Sequence, residues 1–252
     1  MPASNRSLER GLSILDCFRP GLHALTHGDI AAATGLPKAT LTRLLGTLVA
    51  HGYLCFDPAA RAYGLGPPCL SLAWTLTRGS RLHERIAPAV RQLAQRTQSI
   101  IGFGTEHQGD IVYLVAHNGD PARPHRVVGT GMRAPLLTTS VGRAWLAARS
   151  AGERRARLAQ LRRDGALPPA LRTELRTAFE HFDREGCCLV ARDEGRQVAA
   201  GIALPVPGAP LHAAGCGYRL PAGTDPERVP VRILDALAQL REAVALAAAE
   251  PD

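Results

Sequence analysis

The sequence predicts an α+β protein in two parts. An N-terminal winged helix-turn-helix is joined by a helical linker to a larger α+β domain built on an antiparallel sheet. Three observations predict it. Residues Thr26 to Gly66 read as helix, tight turn, helix and hairpin; a short apolar helix follows Pro67-Pro68; and beyond Ile100 short strand patterns bounded by turn residues alternate with helical stretches. The expected organisation is 1–66 for the winged unit, 67–80 for the linker and 81–252 for the second domain.

Taken in order, Thr26 is a good N-cap, and Ile30, Ala31, Ala32 and Ala33 lead to a break at Gly35. Pro37 sits where a first helical residue is favoured, since its missing N–H would be unpaired there anyway. The second helix places Leu41, Leu44, Leu45 and Leu48 on one stripe. Its other side presents Ala39, Arg43, Gly46 and Ala50, flanked by Thr40, Thr42 and Thr47, with no acidic residue. Such a face suits a helix entering the major groove: small groups permit close approach, and Arg or Thr reads base edges or binds phosphate. Gly52 is expected to close this helix in the left-handed conformation. Strands Tyr53 to Phe56 and Ala62 to Leu65 then flank a turn opened by Asp57-Pro58, with Arg61 at its tip. Thr26, Lys38, Ala39, Thr40, Thr42, Arg43, Thr47 and Arg61 are therefore the candidate DNA-contacting residues. The competing reading is a three-helix surface domain with a hairpin and no DNA partner.

Leu70 to Leu76 form the linker helix, and His83 to Thr97 a second helix with Leu82, Ile86, Val90 and Leu93 on one face and Pro88 inside it. Strands Ile100 to Glu106 and Ile111 to His117 enclose a turn at His107–Asp110, and a third strand is expected at Arg126 to Gly129. Met132, Ala134 and Pro135 read as loop. Helices are expected at Val141–Ala148, Glu153–Arg162 and Ala170–Glu185. Strands at Cys188–Arg192, Val198–Pro205 and Leu211–Tyr218 precede a closing helix at Pro226–Ala249.

The formal net charge of +8 and pI near 9.7 suit a polyanionic partner. The charge is nevertheless spread: residues 1–80 hold seven basic and four acidic residues, the remainder 23 and 18. Lys38 is the only lysine, every other cation being arginine. No apolar run is long enough to span a bilayer, and Met1 to Arg6 lack the core of a secretory signal, so a cytoplasmic protein is expected. The six cysteines (17, 55, 69, 187, 188 and 216) show no C-x-x-C and no Cys/His spacing of a zinc site, so no metal or cofactor is expected.

Five ordered blocks carry a resemblance: Ser7-Leu8-Glu9-Arg10-Gly11-Leu12-Ser13-Ile14-Leu15, Thr34 to Thr40, Arg43 to Leu48, Gly52-Tyr53-Leu54, and Tyr63-Gly64-Leu65-Gly66. The chain resembles the isocitrate-lyase-regulator (IclR) family of bacterial transcription factors over nearly all its length. That resemblance implies a ligand-responsive regulator, more often a repressor, bound to double-stranded operator DNA as a homodimer or homotetramer. It also implies a GAF-like second domain that binds a small effector. On the family pattern the effector site falls on Leu137, Thr138, Thr139, Ser140 and Val141, with Asp193, Gly201, Gly215, Cys216 and Gly217. A helix N-terminus carries unpaired donors and partial positive charge, which suits an organic acid. Thr139 or Ser140 could equally cap its own helix. Gly201, Gly215 and Gly217 stand where relatives carry polar side chains, which predicts a wider, less polar pocket, either for an aromatic or larger aliphatic acid or for no ligand at all.

No catalytic constellation is present: there is no G-x-S-x-G, Walker loop or Rossmann fingerprint. Two other readings stay open, a thiol-dependent enzyme using Cys216 or Cys187 with a histidine, and a ligand sensor that does not bind DNA.

Overall fold

In the computed structural model, which describes residues 5–163, 165, 167–221 and 223–249, the chain divides into two units between Gly79 and Ser80. The first unit begins with a helix not expected from the sequence, α1 (Arg6–Leu15), capped by Asn5, whose side chain accepts from the amides of Ser7 and Leu8. A two-residue strand β1 (Leu25–Thr26) leads into α2 (His27–Thr34), and α3 (Lys38–Ala50) completes the helix-turn-helix. β2 (Leu54–Asp57) and β3 (Ala62–Leu65) form the hairpin, and α4 (Pro67–Gly79) ends the unit.

Thr26 caps α2 as expected, in a reciprocal arrangement: its hydroxyl accepts from Asp29 N and the Asp29 carboxylate accepts from Thr26 N. Gly35 ends α2 at φ +65°. Pro37 lies one position earlier than expected: with ψ 142° it is the N-cap of α3 rather than its first helical residue. At the far end His51 is the cap and Gly52, at φ +74°, is the residue after it. Tyr53 N donates to Leu48 O and Gly52 N to Val49 O, the paired bonds that close a helix through a left-handed residue. The strand thus starts at Leu54, one residue later than the pattern suggested. Ile14, Phe18, Leu25, Ile30, Leu41, Leu44, Leu45 and Leu54 make the core, and the small sheet runs β1-β3-β2, all antiparallel.

The second unit opens with α5 (Arg81–Thr97), which passes through Pro88. It continues with β4 (Ile100–His107), β5 (Asp110–Asn118), β6 (Arg133–Pro135), α6 (Ser140–Ala147), α7 (Ala151–Arg163), α8 (Leu171–Glu185), β7 (Cys188–Arg192), β8 (Gln197–Leu204), β9 (His212–Arg219) and α9 (Val231–Ala249). Six antiparallel strands form one sheet in the order β6-β5-β4-β9-β8-β7. Alternation along β8 and β9 decides the two faces. Val198, Ala200, Ile202, Ala214, Cys216 and Tyr218 pack under α5 and α9 with Ile86, Val90, Ile233 and Leu240. Ala213 turns the other way, to Val141, Trp145, Leu146 and Leu175 of α6 and α8.

Two expectations fail here. The strand expected at Arg126 to Gly129 is loop, and the third strand is β6, in the segment read as loop, where Ile111 pairs with Ala134. Pro121 and Pro124 lack the N–H a ladder needs, and Asn118 Nδ2 instead donates to the carbonyls of Arg123 and Arg126 at 2.8 and 3.1 Å. The closing helix starts at Val231, not Pro226, because Pro230 disfavours helical backbone at Val229; the Ile233 and Leu234 amides donate to Pro230 O.

Candidate nucleic-acid interface and effector cavity

The stripe of leucines on α3 is buried, Leu41 and Leu45 almost completely, and this fixes which side of the helix faces out. Lys38, Ala39, Thr42, Arg43, Gly46, Thr47 and Ala50 are exposed, while Thr40 is half-buried. Nothing approaches the Cα of Gly46 on its outer side, so this face can come close to a surface. The threonines are less free than their exposure suggests. Thr42 Oγ1 donates to Lys38 O at 2.9 Å and Thr47 Oγ1 to Arg43 O at 3.0 Å, so both offer a methyl group and acceptor lone pairs outward. His27 Nε2 lies 3.1 Å from Thr42 Oγ1, tying the start of α2 to the exposed face of α3. With the Thr42 proton on Lys38 O, the Nε2–H tautomer of His27 is the donor. Thr26 has its hydroxyl engaged with Asp29, donating to its carboxylate at 2.7 Å, so its part in this interface is to hold α2.

The hairpin turn is held by Asp57 Oδ1, which accepts from the amides of Ala59 and Ala60 at 2.8 and 3.2 Å. That leaves Arg61 exposed beside the tip at φ +49°, a conformation that costs a non-glycine residue about 1 kcal/mol. The arrangement is an exposed acid-free helix face beside a hairpin bearing a cation.

In the second unit a cavity of about 180 Å³ lies on the α6 face of the sheet. Its floor is nearly bare backbone. Gly102 of β4 pairs with Gly215 of β9, and Ile100 with Gly217. Tyr113 of β5 lays its ring directly on Gly102, where any β-carbon would overlap the ring. Val190, Ala199, Ile100 and Val141 supply apolar walls, and Thr138, Thr139 and Ser140 bring in the start of α6. Three arginines, Arg123, Arg126 and Arg192, also line it, with Gln197. No carboxylate does among the described residues.

Thr139 resolves the capping alternative. Its Oγ1 accepts from Gly142 N at 3.3 Å and donates to Pro135 O at 2.7 Å, so it is the N-cap of α6 while also bordering the cavity. The amides of Ser140 and Val141 keep no acceptor within the helix. Burial is the main influence on Tyr113: it pushes the phenol up to about 12, against a smaller opposing pull from nearby Arg126.

Thr138, Thr139, Ser140, Val141, Gly215, Cys216 and Gly217 of the expected effector set meet around this cavity. Leu137, Asp193 and Gly201 do not. Leu137 is buried in the core under α6 and α8, its carbonyl accepting from Arg143 Nε at 2.8 Å. Asp193 is exposed in the β7–β8 turn at φ +49° and accepts from Gln197 Nε2. Gly201 faces the first turn of α6: a β-carbon would overlap Ser140 O, so the missing side chain permits close packing and adds no room. The expectation of a pocket poor in polar groups fails as well. Arg123, Arg126, Arg192 and Tyr113 were missed because they sit on a loop and on strands where arginine and tyrosine read as surface or core. No local sequence pattern joins these four positions.

The cysteines are built for packing. Cys216 is fully buried, donates to Ser99 Oγ at 3.2 Å and has its thiol pushed up to about 12 by burial. Cys188 is likewise held at about 12 by burial, and Cys187 is raised for the same reason. His181 touches Cys187 only at the backbone, Nδ1 to carbonyl oxygen at 2.8 Å. Burial that raises all three thiols works against the activated thiolate a thiol enzyme needs.

Comparison with known proteins assigns a family to both units. The family model for the IclR helix-turn-helix domain matches residues 7–58, and that for the C-terminal domain of bacterial IclR transcriptional regulators matches residues 75–228. The HTH-type transcriptional regulator TsaQ1/TsaQ2 of Comamonas testosteroni is 32% identical over 201 residues, 79% of this chain and 71% of that protein. The crystal structure of an IclR family regulator from Brucella abortus superposes with a TM-score of 0.80 at 28% identity, covering 96% of this chain and 91% of that one. An IclR homologue from Microbacterium hydrocarbonoxydans, crystallised with 4-hydroxybenzoate, shares the fold at 20% identity and a TM-score of 0.65, over 96% and 98% of the two chains. The chain belongs to the IclR family of bacterial transcriptional regulators, and it is a DNA-binding regulator rather than an enzyme.

Proposed function

We propose that this regulator represses catabolic genes by holding operator DNA with α3 and the wing, and releases it when an organic acid enters the cavity of the second unit. The observation that carries the reading is the cavity itself: three guanidinium groups and no carboxylate around a glycine floor. Anions are favoured in such a lining, and the apolar walls reward a ligand with carbon surface at roughly 25 cal/mol per Å² buried. An aromatic or larger aliphatic acid satisfies both; a two- or three-carbon acid reaches the cations but leaves the walls unfilled. The Microbacterium homologue, by its own description, binds an acid of the aromatic kind.

Operator binding is assigned to Lys38, Ala39, Thr42, Arg43 and Thr47, with Arg61 at the minor groove or phosphate and Thr40 beneath them. A single wing and helix contact too few base pairs for a long operator, and α4 exposes Leu70, Leu72, Trp74 and Leu76. A homodimer or homotetramer, with that apolar surface covered by a second copy, is the working assembly.

Selection of bound fragments from genomic DNA with the purified protein tests the reading. It is expected to return one enriched, pseudo-palindromic sequence that aromatic acids release, with light scattering reporting a dimer or tetramer. Recovery of no enriched sequence, or a 26.8 kDa monomer at micromolar concentration, would overturn it.

A further inference from the structure

Positive charge in the cavity is held unequally. Arg123 is committed: Nε donates to Asp120 Oδ2 at 2.8 Å and Nη1 to Gln197 Oε1 at 2.8 Å. Arg192 reaches the Thr138 carbonyl at 3.4 Å. Arg126 has no ion-pair partner among the described residues, and its backbone is pinned through Asn118, as Arg123's is. The neighbour of Arg126 inside the cavity is the Tyr113 phenol, which burial keeps protonated and which has no hydrogen-bond acceptor of its own among the described residues. A free guanidinium and a free hydroxyl therefore stand together at one end of a slot.

The cavity beyond them is walled by side chains on most sides. Gly102 is covered by the Tyr113 ring and Gly215 by Val141, whose Cβ lies 3.0 Å from an added β-carbon, so Gly217, with nothing nearer than Ile100 at 3.9 Å, is the least covered of the three. Bare backbone on one side and branched side chains on the other accept a planar ring better than a chain of tetrahedral carbons.

Resting on the effector reading above, we infer that the ligand is an aromatic monocarboxylate whose ring lies over the Gly217 backbone, against Val141, and whose carboxylate is held by Arg126 and the Tyr113 hydroxyl. Arg126, rather than the first turn of α6, then sets the requirement for an acid. Arg123 is a positioning residue: through Asp120 and Gln197 it fixes the segment that carries Arg126. Guanidinium and carboxylate match in shape as well as charge, so replacing the acid by an amide leaves the cation unmatched.

The test compares benzoate, 4-hydroxybenzoate and phenylacetate with their primary amides, using thermal shift and calorimetry on the full-length protein. The wild type should be stabilised by at least one of the acids and bind it about tenfold or more tightly than its amide. Arg126→Gln should bind acid and amide alike while keeping wild-type operator affinity without ligand, and Arg126→Lys should recover part of the preference. Tyr113→Phe should weaken the acid more than the amide, because a hydrogen bond to a charged acceptor is the stronger one. If Arg126→Gln keeps the full preference for acid, the carboxylate is read elsewhere and this inference falls while the effector reading stands. If none of the six compounds stabilises the wild type, the inference falls, and release of the operator by other acids decides whether the effector reading falls with it.

Discussion

Set side by side, the outer face of α3 and the cavity of the second unit use much the same chemistry: arginine, hydroxyls, small residues, no acid. They differ in how it is assembled. The α3 face is a single run of 13 residues whose inner stripe of leucines dictates its outer stripe. The cavity draws on β4, β5, β7, β8, β9, the start of α6 and a proline-rich loop, so no local pattern announces it. A site carried by one helix is fixed by periodicity; a site carried by a sheet face is fixed by which strands become neighbours.

The glycines break or sharpen that contrast most strongly. Gly201→Leu drives a side chain into the backbone of Ser140 and Val141 and should cost at least about 3 kcal/mol, seen as a large fall in the melting temperature of the second unit. Gly217→Ala, with nothing nearer than 3.9 Å, should leave stability within about 0.5 kcal/mol of wild type yet abolish the ligand-induced shift. Equal melting temperatures for the two variants would show that Gly201 does not pack against α6. In sequence the two positions look alike, both glycines in strands of small residues. Only the register, Gly201 beside Gly215 and Gly217 beside Ala199, decides which one meets a helix.

For the helix-borne site, Arg43→Ala should cost about 1–3 kcal/mol on operator DNA and little on random duplex. Equal losses on both DNAs would make Arg43 a phosphate contact and remove base reading from the centre of the exposed face.

The smallest expected effect is pH-dependent and belongs to the opposite face of the sheet. His212 is buried, stacked on Phe103 at 5.0 Å, and burial holds its pKa below the usual 6.5. The unfolded chain therefore binds the proton more readily than the folded one. Stability should fall as pH drops below about 6.5 and be independent of this group above it. His212→Phe should flatten that slope in urea titrations; an unchanged slope would assign the acid sensitivity to other groups.

How much the sequence disclosed follows from the same contrast. The helix-turn-helix was legible because Thr26, Gly35, Gly52 and the leucine stripe each act within a turn or two of chain. The strands β7, β8 and β9 were legible to within a residue for the same local reason. β6 was not: Ala134 and Pro135 are poor strand formers, placed by pairing with β5 alone. Arg123 and Arg126 escaped because a loop pinned by one asparagine has no period to read.

One feature of α3 reaches beyond recognition. Its first residue, Lys38, is exposed and is the sole lysine of the chain. A protease specific for lysine thus has a single scissile bond in this chain, between Lys38 and Ala39, at the start of the helix proposed to enter the groove. On the proposed docking, cleavage there becomes an occupancy meter: free protein should be clipped into two pieces, and protein seated on its operator should survive at full length.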